Sequence, residues 1–402
     1  MNDSTLTIDG FGPLPIVRPS TFAELSAIVR TATSERPLVP IGGLTQIGVG
    51  RPLTKMSTAV DLRGLDHVVD FPARDMTITV QAGITLGRLA EILAPENLRL
   101  PIDVPAAAAA TLGGTIAANV SGHRRYGYGT LRDYVIGISA VNDEGNEFKA
   151  GGRVVKNVAG YDICKLLIGS LGTLGVISQV TLKLRPRAEE QAFVSIPCRG
   201  DQIGTLLDQL HASRTRPVIL DVVNRMGSRS LLATESDYVA IVGYEGNSDA
   251  VKWQMQQLVK DLGVSFKIEA RVGFTSQALD QALTEWPIAP NARLTLKASL
   301  RPSGVAEFLK AADSWGGEPS LRAHAGNGIV VGHYNGVTAE TAPSFLEKWR
   351  GLAVAVVVQK CVPEWKSSID VWGPPPEDIG LMREVKARFD PRGIFNPGRF
   401  VV

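Results

Sequence analysis

Apolar and polar positions in the N-terminal part of the chain follow the pattern of a mixed α+β unit. Residues 14–17 and 38–41 are short apolar runs, and the stretch between them repeats apolar residues at helical spacing. Thr21 and Glu24 have the spacing of a capping box at the start of that helix. The three segments therefore predict a β-α-β unit. Further elements are predicted after it, as strands at residues 59–62, 68–70 and 77–81 and as a helix that begins near residue 86.

A hairpin and a long strand are predicted further along. Asn142–Gly145 consists of turn-forming residues, and apolar segments at 134–141 and 146–149 flank it. From Val176 to Leu184, apolar residues alternate with polar ones, which is typical of a half-buried strand. Pro186 ends this strand, because proline cannot donate a hydrogen bond to a sheet.

The pattern changes after Pro186, where apolar strands alternate with amphipathic helices in two series. Such alternation is typical of a parallel sheet, but the short connections also allow two ferredoxin-like halves that share an antiparallel sheet. Both sheet types stay open at this point. The predicted strands are 192–197, 218–223, 238–244, 294–300, a segment near 329–331 and 354–358, and the predicted helices are 204–210, 251–262, 305–311, 343–349 and 379–389.

Three glycine-rich segments in the first half have the composition of a site where backbone approaches a ligand. They are Pro40–Gln46, Pro105–Gly129 and Gly169–Ile177. Glycine permits positive φ angles and carries no Cβ, so successive N–H groups can point at a phosphate. Each segment also has a plainer interpretation: a turn for the first, a flexible loop for the second, and a helix cap followed by a turn for the third.

Composition excludes several classes of protein. The chain contains neither the P-loop motif nor the Rossmann glycine motif after a strand, so a different dinucleotide fold is indicated. The net charge is +2 without a basic tract, which argues against nucleic-acid binding. Three scattered cysteines cannot ligate an iron–sulfur cluster or form a disulfide framework. Without a signal-peptide pattern or a long apolar run, the chain is expected to be cytoplasmic and to reach the inner membrane only peripherally, through partners.

Taken together, these segments resemble the FAD-binding domain of the vanillyl-alcohol oxidase and p-cresol methylhydroxylase family. Within that family, Gly151–Asp162 and Gly172–Val176 are most similar to the E subunits of bacterial glycolate oxidases, and the ending Phe389–Arg399 is similar to the ends of the D and E subunits alike. The resemblance implies an α+β fold with a PCMH-type FAD-binding domain of two α+β subdomains. It also favours the second sheet type, two ferredoxin-like halves around an antiparallel sheet. The implied domains are 1–187 for FAD, 188–370 for the substrate cap, and 371–402 for a C-terminal segment that returns to the FAD domain.

The resemblance implies FAD as cofactor and assigns residues to it. Members with covalent flavin often carry histidine in the first glycine loop, whereas this chain has Gly42-Gly43-Leu44, so the FAD is expected to be non-covalent. His123 is the nearby alternative for a covalent bond. The implied FAD contacts are Ile41, Gly42, Gly43, Leu44, Thr45, Gln46, Pro105, Thr111, Gly113, Gly114, Ala117, Ala118, Gly122, Asn157, Tyr161, Gly172, Gly175 and Ile177.

The catalytic histidine motif of the family is incomplete here. Relatives that oxidise 2-hydroxy acids carry H-x-G-D-G-N-x-H and a downstream Glu-His-Gly, but this chain has only His324 to Gly328, with His333 further on. A metal site is therefore not expected, because two or three converging ligands would be needed. His324 and Arg322 are the predicted catalytic residues, with Arg124 and Arg125 as further candidates for the base and the carboxylate-binding cation. A buried, purely structural histidine is the alternative for His324.

Three functions stay open on this resemblance. The first is an FAD-binding subunit of a glycolate oxidase complex, beside a flavoprotein D subunit and an iron–sulfur F subunit. The second is a self-sufficient FAD-dependent dehydrogenase of 2-hydroxy acids. The third is an assembly subunit whose flavin is never reduced by substrate. The incomplete motif favours the first or the third, and the glycine pattern favours retention of cofactor and hence the first. We expect the chain alone to oxidise glycolate poorly.

Overall fold

The computed structural model describes residues 5–152 and 162–401. The chain divides into two compact units. The first comprises Met1–Ser121, Thr130–Arg187 and Lys366–Val402, and the second comprises Gly122–Gly129 and Ala188–Trp365. No helix within the described residues is long and apolar enough to cross a membrane.

Strands and helices alternate along the whole described chain. The strands are β1 Thr5–Ile8, β2 Phe11–Val17, β3 Leu38–Ile41, β4 Thr58–Asp61, β5 Val68–Asp70, β6 Thr77–Gln81, β7 Leu98–Arg99, β8 Val135–Val141, β9 Glu147–Gly151, β10 Val176–Lys183, β11 Arg185–Pro186, β12 Glu190–Cys198, β13 Ile219–Asn224, β14 Tyr238–Gly246, β15 Glu269–Val272, β16 Leu294–Ser299, β17 Ser320–His324, β18 Ile329–Tyr334 and β19 Ala355–Cys361. The helices are α1 Phe22–Thr31, α2 Leu86–Leu93, α3 Leu112–Ala117, α4 Arg125–Tyr128, α5 Leu131–Tyr134, α6 Cys164–Leu167, α7 Ile203–Ala212, α8 Arg225–Leu232, α9 Ser248–Leu262, α10 Phe274–Glu285, α11 Val305–Ser314, α12 Ala342–Leu352 and α13 Ile379–Phe389.

The first unit contains two main sheets. A four-stranded sheet has the order β1-β2-β4-β3, in which β2 and β3 both run parallel to the central β4. Helix α1 connects β2 to β3, so the predicted β-α-β unit is confirmed, with β4 inserted between its two strands. A five-stranded antiparallel sheet has the order β5-β6-β10-β8-β9. The predicted hairpin is its β8–β9 pair, where Val141 faces Glu147.

Helix α1 shows why the sequence folds as it does in this unit. The Thr21 hydroxyl accepts the Glu24 backbone N–H at 3.2 Å, while the Glu24 carboxylate accepts the backbone N–H of Ser20 rather than that of Thr21. The cap thus satisfies N–H groups that the first turn leaves open. The helix buries Leu25 completely, in a core to which the C-terminal residue Phe395 also belongs. The end of the chain is therefore part of the first unit.

The second unit is built on one eight-stranded sheet. Its order is β15-β12-β14-β13-β17-β18-β16-β19, and every neighbouring pair is antiparallel. The second half, β16 to β19, has the strand–helix–strand–strand–helix–strand order of a ferredoxin-like fold, and the first half, β12 to β15, has the same order with the additional helix α8 between β13 and β14. Strand β13 pairs with β17 where the halves join. The antiparallel alternative is confirmed and the parallel sheet is wrong. The sequence analysis missed α8, β15, α10 and β17.

Candidate functional site

The first glycine segment is a loop with open hydrogen-bond donors. It follows β3, and its exposed Leu44 has a φ of 61°. A Cβ on Gly43 would lie 1.7 Å from the Ala109 carbonyl oxygen, and one on Gly42 would lie 2.0 Å from Thr111 Oγ1, so only glycine fits against the second segment. The backbone N–H groups of residues 43–46 donate to no acceptor within the described residues. Four consecutive open donors on a loop suit an anion such as a diphosphate.

The second segment forms α3, and the chain itself satisfies the start of this helix. Thr111 caps it by accepting the Gly114 N–H at 3.3 Å. The Leu112 and Gly113 N–H groups donate to the carbonyls of Ile84 and Ala82 at 2.8 and 2.7 Å. The N–H groups of Gly113 and Gly114, two of the residues predicted to contact FAD, are thus already used within the protein. The surface that α3 offers is instead the small, partly exposed side of Gly114, Ala117 and Ala118.

The third segment lies against the other two. The Gly169 and Leu171 N–H groups donate to the Ile116 and Ala117 carbonyls at 3.0 and 2.9 Å. Gly172 has a φ of +67°, and its missing Cβ would lie 3.6 Å from Pro40. The three glycine segments therefore meet within the first unit. They are separated in sequence by up to about 130 residues, roughly the span from residue 41 to residue 171.

Buried polar atoms without partners lie on the second and third glycine segments and on the C-terminal segment. Within the described residues, Asn119 Oδ1, Ser170 Oγ and Asn396 Oδ1 have no hydrogen-bond partner. Asn396 Nδ2 donates to the Leu171 carbonyl at 2.7 Å, so its amide is held against the third segment. A buried polar atom costs free energy unless something bonds to it. These atoms, together with the open donors of residues 43–46, fit a large polar ligand such as FAD.

Three of the predicted FAD residues cannot be placed on this surface. Gly122 belongs to the second unit. Asn157 and Tyr161 lie outside the described residues. Pro105 and Ile177 are buried, as is Gly175, whose φ is +148°.

His324 forms a buried pair with a carboxylate on the neighbouring strand. Its Nδ1 lies 2.8 Å from Asp221 Oδ1, and Arg322 Nε donates to Asp221 Oδ2 at 2.8 Å. Burial alone would raise the pKa of Asp221, but His324 and Arg322 outweigh it and hold that pKa well below its usual range. Burial lowers the pKa of His324, and Asp221 only partly offsets it. At neutral pH the pair is thus a carboxylate and a neutral imidazole, whose Nε2 has no partner within the described residues.

The same sheet face carries a lysine without a counterion. Lys297 on β16 and Arg322 on β17 both pair with Val331, which places them on one face, about 10 Å apart at the ~4.8 Å spacing of strands. Lys297 has no ion pair or hydrogen bond from its ammonium group within the described residues. Burial lowers the pKa of Lys297 to about 8, and the positive charge of Arg125 contributes to this as the smaller cause. A partly buried cation beside another cation is suited to bind a carboxylate.

Arg124 and His123 belong to a separate ionic cluster in the second unit. Arg124 pairs with Glu245 at 2.6 Å and with Asp280 at 2.9 Å, and His123 Nε2 lies 2.9 Å from Asp280. Burial alone would raise the pKa of Asp280, but His123 and Arg124 hold it well below the usual range. These contacts tie the 122–129 segment to β14 and α10. Arg124 is therefore an ion-paired structural residue in this arrangement.

His333 is too far along the sheet to join His324. The β17–β18 register pairs His324 with Ile329 and Ser320 with His333, so the two histidines lie at opposite ends, about 13 Å apart at ~3.3 Å per residue. His333 Nδ1 lies 3.0 Å from Thr295 Oγ1, and burial lowers its pKa to about 4. Within the described residues, no group of three or more His, Cys, Asp or Glu is arranged to hold a metal ion.

Comparison with protein families decides the cofactor. The family described as the FAD binding domain matches residues 13–151, and the family described as FAD linked oxidases, C-terminal domain, matches residues 374–400. Two separate parts of the chain thus match FAD-dependent families. FAD is therefore its cofactor, and the resemblance inferred from the glycine segments is confirmed.

Relatives of this FAD-linked oxidoreductase oxidise 2-hydroxy acids. It is 26% identical to glycolate oxidase subunit GlcD of Bacillus subtilis strain 168, over 96% of this chain and 88% of the relative. It is 28% identical to D-lactate dehydrogenase of Archaeoglobus fulgidus, over 96% and 91%, and 24% identical to D-2-hydroxyglutarate dehydrogenase of Stutzerimonas stutzeri strain A1501, over 97% and 91%. The chain is thus similar, over nearly its whole length, to enzymes named for glycolate, D-lactate and D-2-hydroxyglutarate. Its likeness to the E subunit in particular stays a prediction.

Solved structures show the same fold. Alkyldihydroxyacetonephosphate synthase, solved in two crystal forms, superposes with a TM-score of 0.69 and 18% identity. In the first form the match covers 96% of this chain and 77% of the synthase. The predicted α+β fold with a PCMH-type FAD-binding domain is therefore confirmed.

Sequence reasoning missed two charged residues of this oxidoreductase's sheet face. Asp221 stands alone in an apolar run at residues 218–223, and Lys297 stands alone in another at 294–300. Both runs were assigned as strands, and neither charge was singled out. A single charged residue inside an apolar strand was the available signal, because burial of a charge requires a partner or a function.

Proposed function

We propose that the face of β13, β16 and β17 binds and deprotonates a small 2-hydroxy acid. The observation that carries this is the Asp221–His324 pair on the same sheet face as Lys297, which lacks a counterion among the described residues. In this proposal Lys297 binds the substrate carboxylate. The neutral Nε2 of His324 accepts the proton of the substrate hydroxyl, and Asp221 stabilises the imidazolium that forms. Bound FAD supplies the acceptor for the hydride from Cα.

Arg322 has a different role from the one expected. Its guanidinium is occupied by Asp221 and by the Leu283 carbonyl, and its side chain is 3% exposed. We assign it as a positioning residue that holds the carboxylate of Asp221 toward His324. The cation for the substrate is then Lys297, with Arg125 beside it.

Residues 43–46 are proposed to bind the diphosphate of FAD non-covalently. The open N–H groups of this loop support the first part, and the Gly42-Gly43-Leu44 sequence, which carries no histidine for the flavin, supports the second. Acid denaturation should release FAD into the supernatant. Flavin that stays with the precipitated protein would contradict the non-covalent assignment.

We further propose that the chain works as a flavin subunit of a glycolate oxidase complex, with D-type and F-type subunits as partners. Its similarity to GlcD supports this. In this proposal electrons leave through the iron–sulfur partner, since the three scattered cysteines of this chain cannot ligate a cluster. The second candidate, a self-sufficient dehydrogenase, is favoured by the D-lactate dehydrogenase that this chain matches over 91% of its length.

One pair of measurements separates these candidates. In the first measurement, glycolate is mixed with the isolated chain under anaerobic conditions, and a single reduction of the flavin is followed as the loss of its absorbance band. In the second, steady-state reduction of a dye is followed with and without the D and F subunits. The subunit proposal expects slow turnover by the chain alone and acceleration by the partners. Turnover by the isolated chain at the rate of the complex would establish the self-sufficient dehydrogenase instead. No bleaching by glycolate, D-lactate or D-2-hydroxyglutarate, alone or with partners, would exclude both.

A further inference from the structure

Two cations from the last stretch of the first unit, Lys366 and Arg399, bind the five consecutive carbonyl groups that follow the first glycine segment. Arg399 donates to the carbonyls of residues 47, 49 and 51, at 2.8 Å for Val49 and 2.9 Å for Arg51. Lys366 donates to the two carbonyls between them, Gly48 at 2.5 Å and Gly50 at 3.0 Å. Every carbonyl from Ile47 to Arg51 thus accepts from one of two side chains that lie more than 300 residues away in sequence.

Both cations are enclosed by the protein. The side chains of Lys366 and Arg399 are 1% and 4% exposed, and both pair with Asp9, at 2.8 and 2.5 Å. The Arg399 carbonyl also accepts the Arg51 N–H at 3.0 Å and the Trp372 indole N–H at 3.1 Å. Charge-assisted hydrogen bonds are about twice as strong as neutral ones. Residues 47–51 are therefore restricted to one conformation by these side chains. We name the hydrogen bonds from Lys366 and Arg399 to the carbonyls of residues 47–51 the carbonyl clamp.

The carbonyl clamp adjoins the open donors of the same loop. Residues 43–46, whose N–H groups have no acceptor within the described residues, connect directly to residue 47. The turn is continuous, because the Ile47 and Val49 N–H groups donate back to the Leu44 and Gln46 carbonyls at 3.2 and 3.0 Å. Fixing residues 47–51 therefore restricts where the N–H groups of residues 43–46 point.

We propose that Lys366 and Arg399 are positioning residues for FAD binding, which preorganise residues 43–46 for the diphosphate. This rests on the proposed binding of the diphosphate by those residues. A loop that is already ordered in the folded protein loses less conformational entropy when the ligand binds, and the affinity for the ligand is higher for that reason. In this proposal Lys366 and Arg399 raise the affinity for FAD through the conformation of residues 43–46, without binding FAD themselves.

The test compares arginines of one segment in the full-length apoprotein. Arg399→Met removes the clamp donor, and Arg392→Met is the matched control, since Arg392 also donates to two main-chain carbonyls, those of Ala32 and Asp143, away from the glycine loop. FAD affinity is measured by fluorescence titration, and hydrogen exchange is measured for peptides that cover residues 43–51. Arg399→Met should raise the Kd for FAD at least tenfold and speed exchange in these peptides. Arg392→Met should lower Tm and change neither quantity more than twofold.

Conservative variants separate positioning from general stability. Arg399→Lys should restore part of the FAD affinity, because one ammonium group can bind some of the three carbonyls. If Arg399→Met fails to fold, Lys366→Met and Arg399→Lys decide the matter by the same two measurements. Unchanged FAD affinity in folded variants with faster exchange at residues 43–51, or equal losses in the Arg392 control, would overturn the proposal. If Gly43→Ala also binds FAD with normal affinity, the assignment of residues 43–46 to the diphosphate fails. If Gly43→Ala binds FAD more weakly while Arg399→Met binds it with normal affinity, only the role of the carbonyl clamp is overturned.

Discussion

The glycine loop of the first unit and the sheet face of the second are proposed to bind polar groups by different means, one through its main chain and the other through its side chains. The loop offers main-chain N–H groups at residues 43–46, and its side chains contribute little because Gly42 and Gly43 have none. The sheet face offers the side chains of Asp221, Lys297 and His324, which come from three strands. In a main-chain site, the positions without side chains determine which N–H groups a ligand can reach. In a side-chain site, strand register determines which side chains are neighbours. The two sites should consequently fail in different ways when they are mutated.

The largest expected effect is on the sheet face. His324→Asn removes the proposed base and should lower kcat/KM for the 2-hydroxy acid about 10²- to 10⁴-fold, the usual contribution of a general base. The Kd for FAD should stay within twofold, because the base is not part of the glycine loop. Anaerobic stopped-flow reduction of the flavin measures the first quantity and fluorescence titration the second. His333→Asn is the control, and equal losses in both variants would assign His324 a structural role only.

A smaller effect is expected for variants of the glycine loop, and it should change the Kd for FAD, which His324→Asn should leave unchanged. Gly43→Ala places a Cβ against the Ala109 carbonyl oxygen, where 1.7 Å is available. Overpacking costs about 1–3 kcal/mol, which corresponds to roughly tenfold to hundredfold weaker FAD binding. Gly48→Ala is the control in the same loop, since nothing lies within 4 Å of its Cβ and its carbonyl is retained. Indistinguishable Kd values for the two variants would show that close packing at Gly43 does not matter for FAD.

The smallest effect is a pH dependence that only the sheet face should show. Because the pKa of Lys297 is lowered to about 8, its charge is present below that pH and is lost as the pH rises through it. Substrate affinity, and with it kcat/KM, should fall about tenfold per pH unit above about 8. On the acid side, His324 must be neutral, and its lowered pKa places that limb below 6.5. In Lys297→Arg the alkaline limb should move to higher pH, and an unmoved limb would remove Lys297 from substrate binding.

Elements with strong local signals were predicted from the sequence. The β6 strand was assigned at the residues where it occurs, 77–81, and the helix capped by Thr21 begins where its capping box indicated. The β17 strand was missed, although it carries both Arg322 and His324. With Leu321 and Ala323 as its only apolar residues in five positions, β17 is too short to stand out, and it forms because both neighbouring strands pair with it. Helix α10 was missed for a related reason, since only Ser276, Leu279 and Leu283 are buried along its length.

The sequence by itself indicated the cofactor, FAD, and it is the basis for the main-chain contacts that are proposed to bind it. Glycine positions and the Phe389–Arg399 ending are local patterns, so their meaning does not depend on distant residues. Tertiary structure alone decided which side chains act together. Asp221 lies 2.8 Å from His324 across 103 positions of sequence, and Arg399 reaches Val49 across 350. Hydrogen bonds and charge pairs depend on distances of about 3 Å, and for residues so far apart these distances are set by strand register and packing.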